Sequence, residues 1–295
     1  MMNIRVVGDQ IGVEVSGVDV KTMTDADFAK IYRAWIDHNV LVVTGQELTI
    51  PDFLAYSRRF GTIEPHPSKS TRHPDYPEIT LLGVNKFGAN GKLNQTIYRR
   101  GGEGWHTDGA YEKVPFKATQ LYALAIPDRG GDTFFASGYA AYEALSQRLH
   151  DRLAGVVGAF TYGTPGLLNP EDEDWKPALH PIIRTHRESG RKSLYFDELK
   201  IVYLQGIEKA ESDDLIAELK GAMIQPHGQY RHKWRVGDIV IWDNRCSYHK
   251  AAADYPPEQD RIHWRVSLKD WGDDGSVETV GEMGQGNRTW PCESG

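Results

Sequence analysis

The second half of the sequence alternates short apolar segments with turn-forming residues, and this pattern restricts the fold more than any other feature. The segments are four to eight residues long and rich in branched and aromatic side chains: Ala118–Ala125, Thr133–Ala136, Ile182–Thr185, Ser193–Phe196, Ile239–Trp242 and His263–Leu268. Turn signals such as Asp128-Arg129-Gly130-Gly131 separate them. Many short strands joined by turns are typical of antiparallel sandwiches and barrels. We predict a mainly β protein with helices, whose core is a double-stranded β-helix (jelly roll) decorated by those helices.

Amphipathic segments predict the surrounding helices. Apolar residues recur at helical spacing from Thr24-Asp25 to Ile36, and a second helix is predicted to start at Thr49-Ile50-Pro51. Two more helices are predicted within the β-rich half, at about Ala140–Gly155 and Ser212–Ile224.

The 295 residues contain no repeat, low-complexity tract or linker, so we predict a single domain over residues 1–295. The helical pattern disappears between Glu64 and Gly104, where prolines and glycines recur and only Ile79–Leu82 resembles a strand. A loop region of this length inside a compact domain is usually functional. We therefore predict a lid or substrate loop at about residues 64–104.

Composition excludes several classes of function. The net charge is −7, with 34 basic and 41 acidic residues spread along the chain, so nucleic acid is not a predicted partner. The two cysteines, Cys246 and Cys292, cannot form a disulfide framework or a cysteine-rich zinc site. With neither a secretory-signal profile nor an apolar run long enough to span a membrane, we expect a soluble cytoplasmic protein without a membrane partner.

Two histidines and one carboxylate suit non-haem iron, because they occupy one face of the metal and leave the other open. Two of the three ligands are commonly close in sequence, as H-x-D or H-x-E. Three such pairs occur: His106-Thr107-Asp108, His73-Pro74-Asp75 and His186-Arg187-Glu188. The second lies between turn-forming prolines, and the third enters a predicted hairpin turn, where its side chains are expected in water. The residues alone favour the first pair, but chance occurrence of that pair remains an alternative.

Four motifs, taken together, resemble the taurine dioxygenase and 2,4-dichlorophenoxyacetate dioxygenase family of iron(II)- and 2-oxoglutarate-dependent oxygenases. They occur in the family's order and at compatible spacing: Trp105-His106-Thr107-Asp108, Gly130-Gly131-Asp132-Thr133, Trp242-Asp243-Asn244-Arg245 with His249, and Arg261 with Arg265. Weaker matches, including Arg59-Phe60-Gly61 and His180-Pro181, extend the resemblance over nearly the whole chain.

The resemblance implies a role for each matched residue. His106, Asp108 and His249 are the implied ligands and catalytic centre of Fe²⁺. Arg261, supported by Thr133, would bind the far carboxylate of 2-oxoglutarate, which an arginine fork matches in two-point geometry. Arg265 would hold an anionic group of the substrate.

Further residues are candidates for the substrate pocket. His66 matches a histidine that contacts the substrate anion in the taurine enzyme, and Tyr98 lies in the stretch that shapes the family's pocket; a solvated loop is the alternative for both. His263 is interpreted as a packing residue that faces away from the two arginines. Gly101–Gly104, with Ser68 and Lys69, departs from the taurine enzyme's pattern, which argues against taurine itself.

The predicted activity is hydroxylation, with or without C–S or C–O cleavage, of a small anionic substrate such as a sulfonate, an aryloxy acid or another carboxylate. The reaction would consume O₂ and release succinate and CO₂ from 2-oxoglutarate. The resemblance also implies a homo-oligomer, either a dimer or a tetramer. Two alternatives are a zinc-dependent hydrolase that uses the same three ligands and a non-catalytic binding module on the same fold. The hydrolase gives Thr133 and the paired arginines no role, and the intact set of three ligands with both arginines argues against a non-catalytic module.

Overall fold

The computed structural model describes residues 2–67, 69–83, 104–162 and 177–270. The α-helices in these ranges are α1 (Asp25–His38), α2 (Ile50–Arg58), α3 (Gly138–Glu143), α4 (Gln147–Leu153) and α5 (Lys209–Ala222). The strands are β1 (Asn3–Val6), β2 (Val13–Ser16), β3 (Val40–Val43), β4 (Thr62–Glu64), β5 (Thr80–Leu82), β6 (Ala118–Ala125), β7 (Thr133–Ser137), β8 (Val157–Phe160), β9 (Ala178–Pro181), β10 (Ile183–Thr185), β11 (Lys192–Leu194), β12 (Ile201–Leu204), β13 (Gln229–His232), β14 (Ile239–Asp243), β15 (Ser247–Ala251) and β16 (Ile262–Lys269).

The largest sheet has eight strands, in the order β1-β2-β3-β14-β6-β16-β4, with β5 also pairing with β16. Strands β2 and β3 are parallel and are joined by α1, whereas the other described pairs in this sheet are antiparallel. Strands β6, β14 and β16 lie side by side at its centre, so residues from three distant parts of the sequence share one surface.

A three-stranded sheet, β13-β7-β15, covers the inner face of this large sheet. The buried residues between the two sheets come from both: Val40, Val42, Leu121, Ala123, Phe135, Trp234, Val240 and Trp242. Two sheets that share such an apolar interior form the predicted double-sheet core, and the predicted fold class is therefore confirmed. The candidate site lies at this interior.

Helices α1 and α2 cover the outer face of the large sheet. Trp35 from α1 and Phe53 from α2 are completely buried there, together with Phe60. Both helices start where the sequence predicts, because the side chains of Thr24 and Thr49 accept hydrogen bonds from the backbone of the first turn. Within the described residues, no helix is both long and apolar enough to cross a bilayer.

The predicted helix Ala140–Gly155 is wrong as a single element, because the structure divides it into α3 and α4. The hydroxyl of Ser146 accepts a hydrogen bond from the backbone of Leu149 and so starts a new helix. Apolar residues occur on both sides of this break, so the helical periodicity did not reveal it. Strand β1 was not predicted as a strand. Its sequence, Asn-Ile-Arg-Val, alternates polar and apolar residues, but the run is only four residues long and all four are exposed.

Candidate active site

Two of the predicted metal ligands, His106 and His249, lie directly opposite each other on the backbone. The amide of His106 donates to the carbonyl of His249 at 3.1 Å, and the amide of His249 donates back at 2.8 Å. Their ring centroids are 4.2 Å apart. His249 lies on β15, whereas His106 lies in the segment that precedes β6 in the sequence. The backbone itself therefore brings the two imidazoles together.

Asp108 completes the group from the same segment as His106. One carboxylate oxygen accepts a hydrogen bond from the hydroxyl of Thr119 at 2.6 Å, and the other lies 3.1 Å from Arg265. Burial alone would raise the pKa of Asp108, but Arg265 and the two histidines hold it well below its usual range. Asp108 is therefore a carboxylate at neutral pH, as a metal ligand must be.

The donor set fits a divalent iron ion. One possible ligand atom from each of the three residues lies within 4.8 Å of the others. His106 has Nδ1 3.1 Å from the carbonyl of Gly104, an arrangement that makes Nδ1 the protonated nitrogen and leaves Nε2 as the electron-pair donor. Burial and the neighbouring His106 lower the pKa of His249 to about 3, so its imidazole is neutral. Two imidazoles and one carboxylate suit Fe²⁺.

Asn244 connects the two halves of this group. Its side-chain carbonyl accepts a hydrogen bond from the backbone of Asp108 at 3.3 Å, and its side-chain amide donates to Thr119 at 3.0 Å. Its backbone carbonyl accepts from the hydroxyl of Thr107 at 2.7 Å. The turn before His249 and the segment carrying Asp108 are thus held together by one residue.

We expect Asn244→Ala to weaken metal binding by about 10- to 100-fold, because groups that orient metal ligands typically contribute that much. Titration of the protein with Mn²⁺, followed by tryptophan fluorescence or calorimetry, measures the change. Asn3→Ala, on the exposed strand β1, serves as the matched control. Unchanged Mn²⁺ affinity in a folded Asn244→Ala protein would show that Thr107 and Thr119 suffice to position Asp108.

Glu198 holds the segment that carries His106 and Asp108, and no sequence pattern indicated this role. Its carboxylate accepts a hydrogen bond from the backbone of Trp105 at 2.6 Å. Gly104 has φ +149°, and a Cβ there would lie 2.7 Å from this carboxylate. Glycine therefore permits the close approach. The adjacent Asp197 is completely buried, and burial raises its pKa to about 6 despite the nearby His106.

Arg261 and Thr133 lie together next to the interior, as predicted. The Arg261 guanidinium donates to the Thr133 hydroxyl at 3.2 Å and to the carbonyl of Gly131 at 2.6 Å. Trp234, which the sequence did not indicate, donates its indole N–H to the same hydroxyl at 3.0 Å. Burial lowers the pKa of Arg261 to about 10, so the group stays charged at neutral pH. The described residues place no carboxylate within ion-pair distance of it, which suits a bound dicarboxylate.

The predicted orientation of His263 is wrong. His263 and Arg265 are two residues apart on β16, and even spacing on a strand places side chains on the same face. Arg261 precedes β16, and its guanidinium lies 5.9 Å from the ring of Trp234. It pairs with Ala123 while Arg265 pairs with Leu121, and both partners belong to the interior between the sheets. The His263 ring lies 4.5 Å from that of Trp234. His263 therefore faces the same interior as the two arginines.

The structure describes only some of the residues that are predicted to contact the substrate. Arg265 lies beside the metal-ligand group through its contact with Asp108. His66 follows β4, which pairs with β16 just beyond Arg265, and its Nδ1 is 3.3 Å from the hydroxyl of Thr71. Tyr98 and most of the predicted lid lie outside the described residues. The roles of His66 and Tyr98 stay predictions.

The other two H-x-D/E pairs lie elsewhere. His73 accepts a hydrogen bond from the backbone of Asp75 at 3.2 Å in a tight turn, as the neighbouring prolines predict. His186 does lie next to a hairpin turn, between β10 and β11, but the expectation that it is in water is wrong. It is buried, and its Nε2 lies 3.1 Å from the Asp243 carboxylate.

Asp243 also binds Arg245 through two hydrogen bonds of 2.9 and 2.6 Å, so a buried polar network fixes the turn before His249. Cys246, the next residue after Arg245, is buried and has no disulfide partner among the described residues. It occupies the interior as a small residue.

A double-sheet interior that carries two histidines, one carboxylate and a buried arginine–threonine pair defines a non-haem iron oxygenase of the jelly-roll class.

Comparison with known proteins supports the same class. Residues 3–267 match the model of the family described as "Taurine catabolism dioxygenase TauD, TfdA family". The chain belongs to this family.

Three relatives illustrate the similarity. The (S)-phenoxypropionate/alpha-ketoglutarate-dioxygenase of Sphingobium herbicidovorans is 30% identical over 277 residues, which are 87% of this chain and 91% of that protein. The alpha-ketoglutarate-dependent 2,4-dichlorophenoxyacetate dioxygenase of Cupriavidus pinatubonensis is 30% identical over 250 residues, 80% of this chain and 87% of that one. The crystal structure of AAD-2 with Mn(II) and N-oxalylglycine has a TM-score of 0.77 and 26% identity, covering 92% of this chain and 97% of that chain.

These findings confirm the predicted enzyme class, an iron(II)- and 2-oxoglutarate-dependent dioxygenase, together with its two cofactors. They disfavour both alternatives, the zinc hydrolase and the non-catalytic module. The predicted lid, the single-domain organisation, the oligomeric state and the residue roles stay predictions.

Proposed function

We propose that this chain hydroxylates a small organic anion, with Fe²⁺ held by His106, Asp108 and His249. The observation that carries the proposal is the contact of Arg265 with Asp108 at 3.1 Å. It places a guanidinium directly beside the metal carboxylate, and the described residues provide no other anionic partner for it. A substrate anion bound by the remaining N–H groups of Arg265 would lie next to the metal.

When bound, Fe²⁺ and 2-oxoglutarate together supply the oxidising chemistry: one oxygen atom of O₂ enters a substrate C–H bond, and the other enters the 2-oxo acid, which becomes succinate and CO₂. The protein positions these groups. Asp108 contributes one negative charge and the two histidines contribute none, so the site retains net positive charge for an anionic 2-oxo acid. Arg261 and Thr133 would fix the far carboxylate and so orient the 2-oxo end toward the metal.

The proposed substrate is an aryloxyalkanoate or another small carboxylate or sulfonate. Support comes from Arg265 and from two relatives whose names specify phenoxypropionate and 2,4-dichlorophenoxyacetate as substrates. Hydroxylation at a carbon that carries an ether oxygen or a sulfonate gives an unstable product that breaks the C–O or C–S bond. His66 and Tyr98 are proposed to line the pocket beside Arg265.

The test is release of succinate and CO₂ from 2-oxoglutarate under air with Fe²⁺, across a panel of aryloxy acids, sulfonates and other carboxylates. We expect succinate release to rise with at least one anion and to match the amount of hydroxylated or cleaved product. Stimulation by uncharged analogues alone would contradict the proposed role of Arg265.

We expect Arg265→Met to raise the KM for the anionic substrate by about 10- to 100-fold, because a charge-assisted hydrogen bond is lost. The KM for 2-oxoglutarate should change much less. Steady-state kinetics with each substrate varied in turn gives both values, and Arg187→Met provides a control outside the site. If the 2-oxoglutarate KM rises more, the proposed roles of Arg261 and Arg265 must be exchanged.

A further inference from the structure

His263 is a completely buried histidine whose two ring nitrogens both lack a hydrogen-bond partner in the part of the chain that the structure describes. Buried polar side chains are hydrogen-bonded in the great majority of cases, and an unsatisfied one calls for an explanation. Its role in packing does not provide one, because an apolar side chain of similar size would fill the same space without a polar group to desolvate.

The residues that pair with His263 across the sheet are apolar, whereas the side of the ring nearest Arg261 is polar. Across the sheet it faces Leu82 on β5 and Ala123 on β6, which offer no side-chain hydrogen bond. Its ring contacts the indole of Trp234 at an angle of 71°. Trp234 in turn donates to Thr133, which also accepts from Arg261. His263 therefore adjoins the arginine–threonine pair.

The imidazole of His263 is uncharged. Burial, together with the neighbouring cation of Arg261, holds the pKa of His263 well below its usual range. A neutral imidazole has one N–H donor and one acceptor nitrogen. The donor has no acceptor among the described residues, and the nearby charge is that of a guanidinium that likewise lacks a carboxylate there. A carboxylate placed at Arg261 would satisfy both.

The position of His263 on β16 indicates which carboxylate would bind beside Arg261. His263 lies between Arg261, the proposed partner of the far carboxylate of 2-oxoglutarate, and Arg265, which contacts the metal ligand Asp108. His263 and Arg265 lie on β16 and face the same interior. Arg261 precedes the strand, and its guanidinium lies 5.9 Å from the ring of Trp234, which His263 also contacts. A 2-oxo acid that reaches from the metal to Arg261 would pass along this face.

We propose that His263 is a third co-substrate-binding residue, which donates a hydrogen bond to the far carboxylate of 2-oxoglutarate beside Arg261 and Thr133. The proposal rests on the proposed placement of the co-substrate at Arg261. It assigns His263 a direct contact with the ligand. An ordered water molecule that satisfies His263 without touching the ligand is the competing arrangement, and the experiment below distinguishes the two.

The experiment measures binding of two probes to the full-length, Mn²⁺-loaded protein by calorimetry. N-oxalylglycine carries both the metal-binding end and the far carboxylate, whereas oxamate keeps the metal-binding end and lacks the arm with that carboxylate. We expect His263→Leu to weaken N-oxalylglycine binding by about 10-fold or more, as the loss of a hydrogen bond to a charged group does. Binding of oxamate and of Mn²⁺ should stay within about twofold of wild type, and His263→Gln, which keeps an N–H donor, should recover part of the N-oxalylglycine affinity.

A matched control tests whether the effect is transmitted by packing. His232 is also buried, and its ring lies 4.6 Å from Trp234, but it has polar neighbours in Tyr230 and Asp238. We expect His232→Gln to leave the ratio of N-oxalylglycine to oxamate affinity unchanged. An equal change in that ratio for His232→Gln and His263→Leu would overturn the proposal, because Trp234 packing would explain both.

Two outcomes separate this inference from the proposed function. If wild-type protein does not bind N-oxalylglycine more tightly than oxamate, the proposed co-substrate site at Arg261 fails. If wild type does so and a folded His263→Leu protein keeps the same ratio, the site stands and the contact from His263 is refuted in favour of the water-satisfied arrangement. Melting temperatures of each variant establish that the proteins are folded.

Discussion

Asp108→Ala is expected to abolish detectable Mn²⁺ or Fe²⁺ binding and to lower turnover on the order of 1,000-fold or more, which corresponds to about 4 kcal/mol in the reaction barrier. The carboxylate is the only anionic ligand among the three proposed ones, and its surroundings keep it ionised. Equilibrium dialysis with Mn²⁺ measures the loss of binding, and succinate release measures the loss of turnover.

Two variants make this test specific. Asp108→Asn keeps the volume and the contact with Thr119 but removes the charge, so it should lose most of the metal affinity while remaining folded. His73→Ala alters the other H-x-D pair, which forms an exposed turn, and should leave both measurements unchanged. If His73→Ala were as damaging as Asp108→Ala, the choice between the two pairs would be wrong.

Arg261→Met is expected to weaken 2-oxoglutarate binding about 100-fold or more, or about 2.7 kcal/mol, because a buried charge–charge contact with the far carboxylate is lost. The stability of the ligand-free protein, in contrast to its affinity for 2-oxoglutarate, should not fall. A buried guanidinium without a carboxylate partner is costly, so its replacement by an apolar chain of similar length is expected to maintain or raise the melting temperature. The rise in melting temperature that 2-oxoglutarate causes in wild-type protein should disappear.

Arg261→Lys is the matched control for charge. Lysine keeps the positive charge but cannot form the two-point contact, so we expect an intermediate loss of affinity. A normal ligand-induced increase in melting temperature for Arg261→Met would place the far carboxylate elsewhere in the interior.

The elements that form the core could be predicted because their sequences satisfy local and global requirements together. Helix α1 combines a threonine cap with apolar residues at helical spacing, and the first four residues of β14, Ile239–Trp242, are apolar because both faces of the strand are buried. The break between α3 and α4 is different, since a single capping serine decides it. Strand β1 lies at an edge of the sheet with all four residues exposed, and an alternation of polar and apolar residues over only four positions does not distinguish a strand from a loop.

Some residues of the candidate site could likewise be predicted from the sequence, and others could not. The grouping of His106, Asp108 and His249 could be predicted because their residue types and their order along the chain match the family's motifs. Glu198 and Trp234 could not, because their roles depend on contacts with Trp105 and Thr133 that only the folded chain creates. His186 was expected in water because its turn is polar, but its partner is the buried carboxylate of Asp243, which Arg245 also binds and which the local sequence does not reveal.

The reciprocal backbone hydrogen bonds between His106 and His249 have a consequence for the thermodynamics of metal uptake. Two of the three proposed donor side chains are fixed in mutual register by the main chain, so folding itself supplies part of the ordering that the proposed metal site requires. An ion bound there would need little further ordering of these two histidines. The same linkage works in reverse, because an unfolded chain separates the donors, and metal binding is thus selective for the native state.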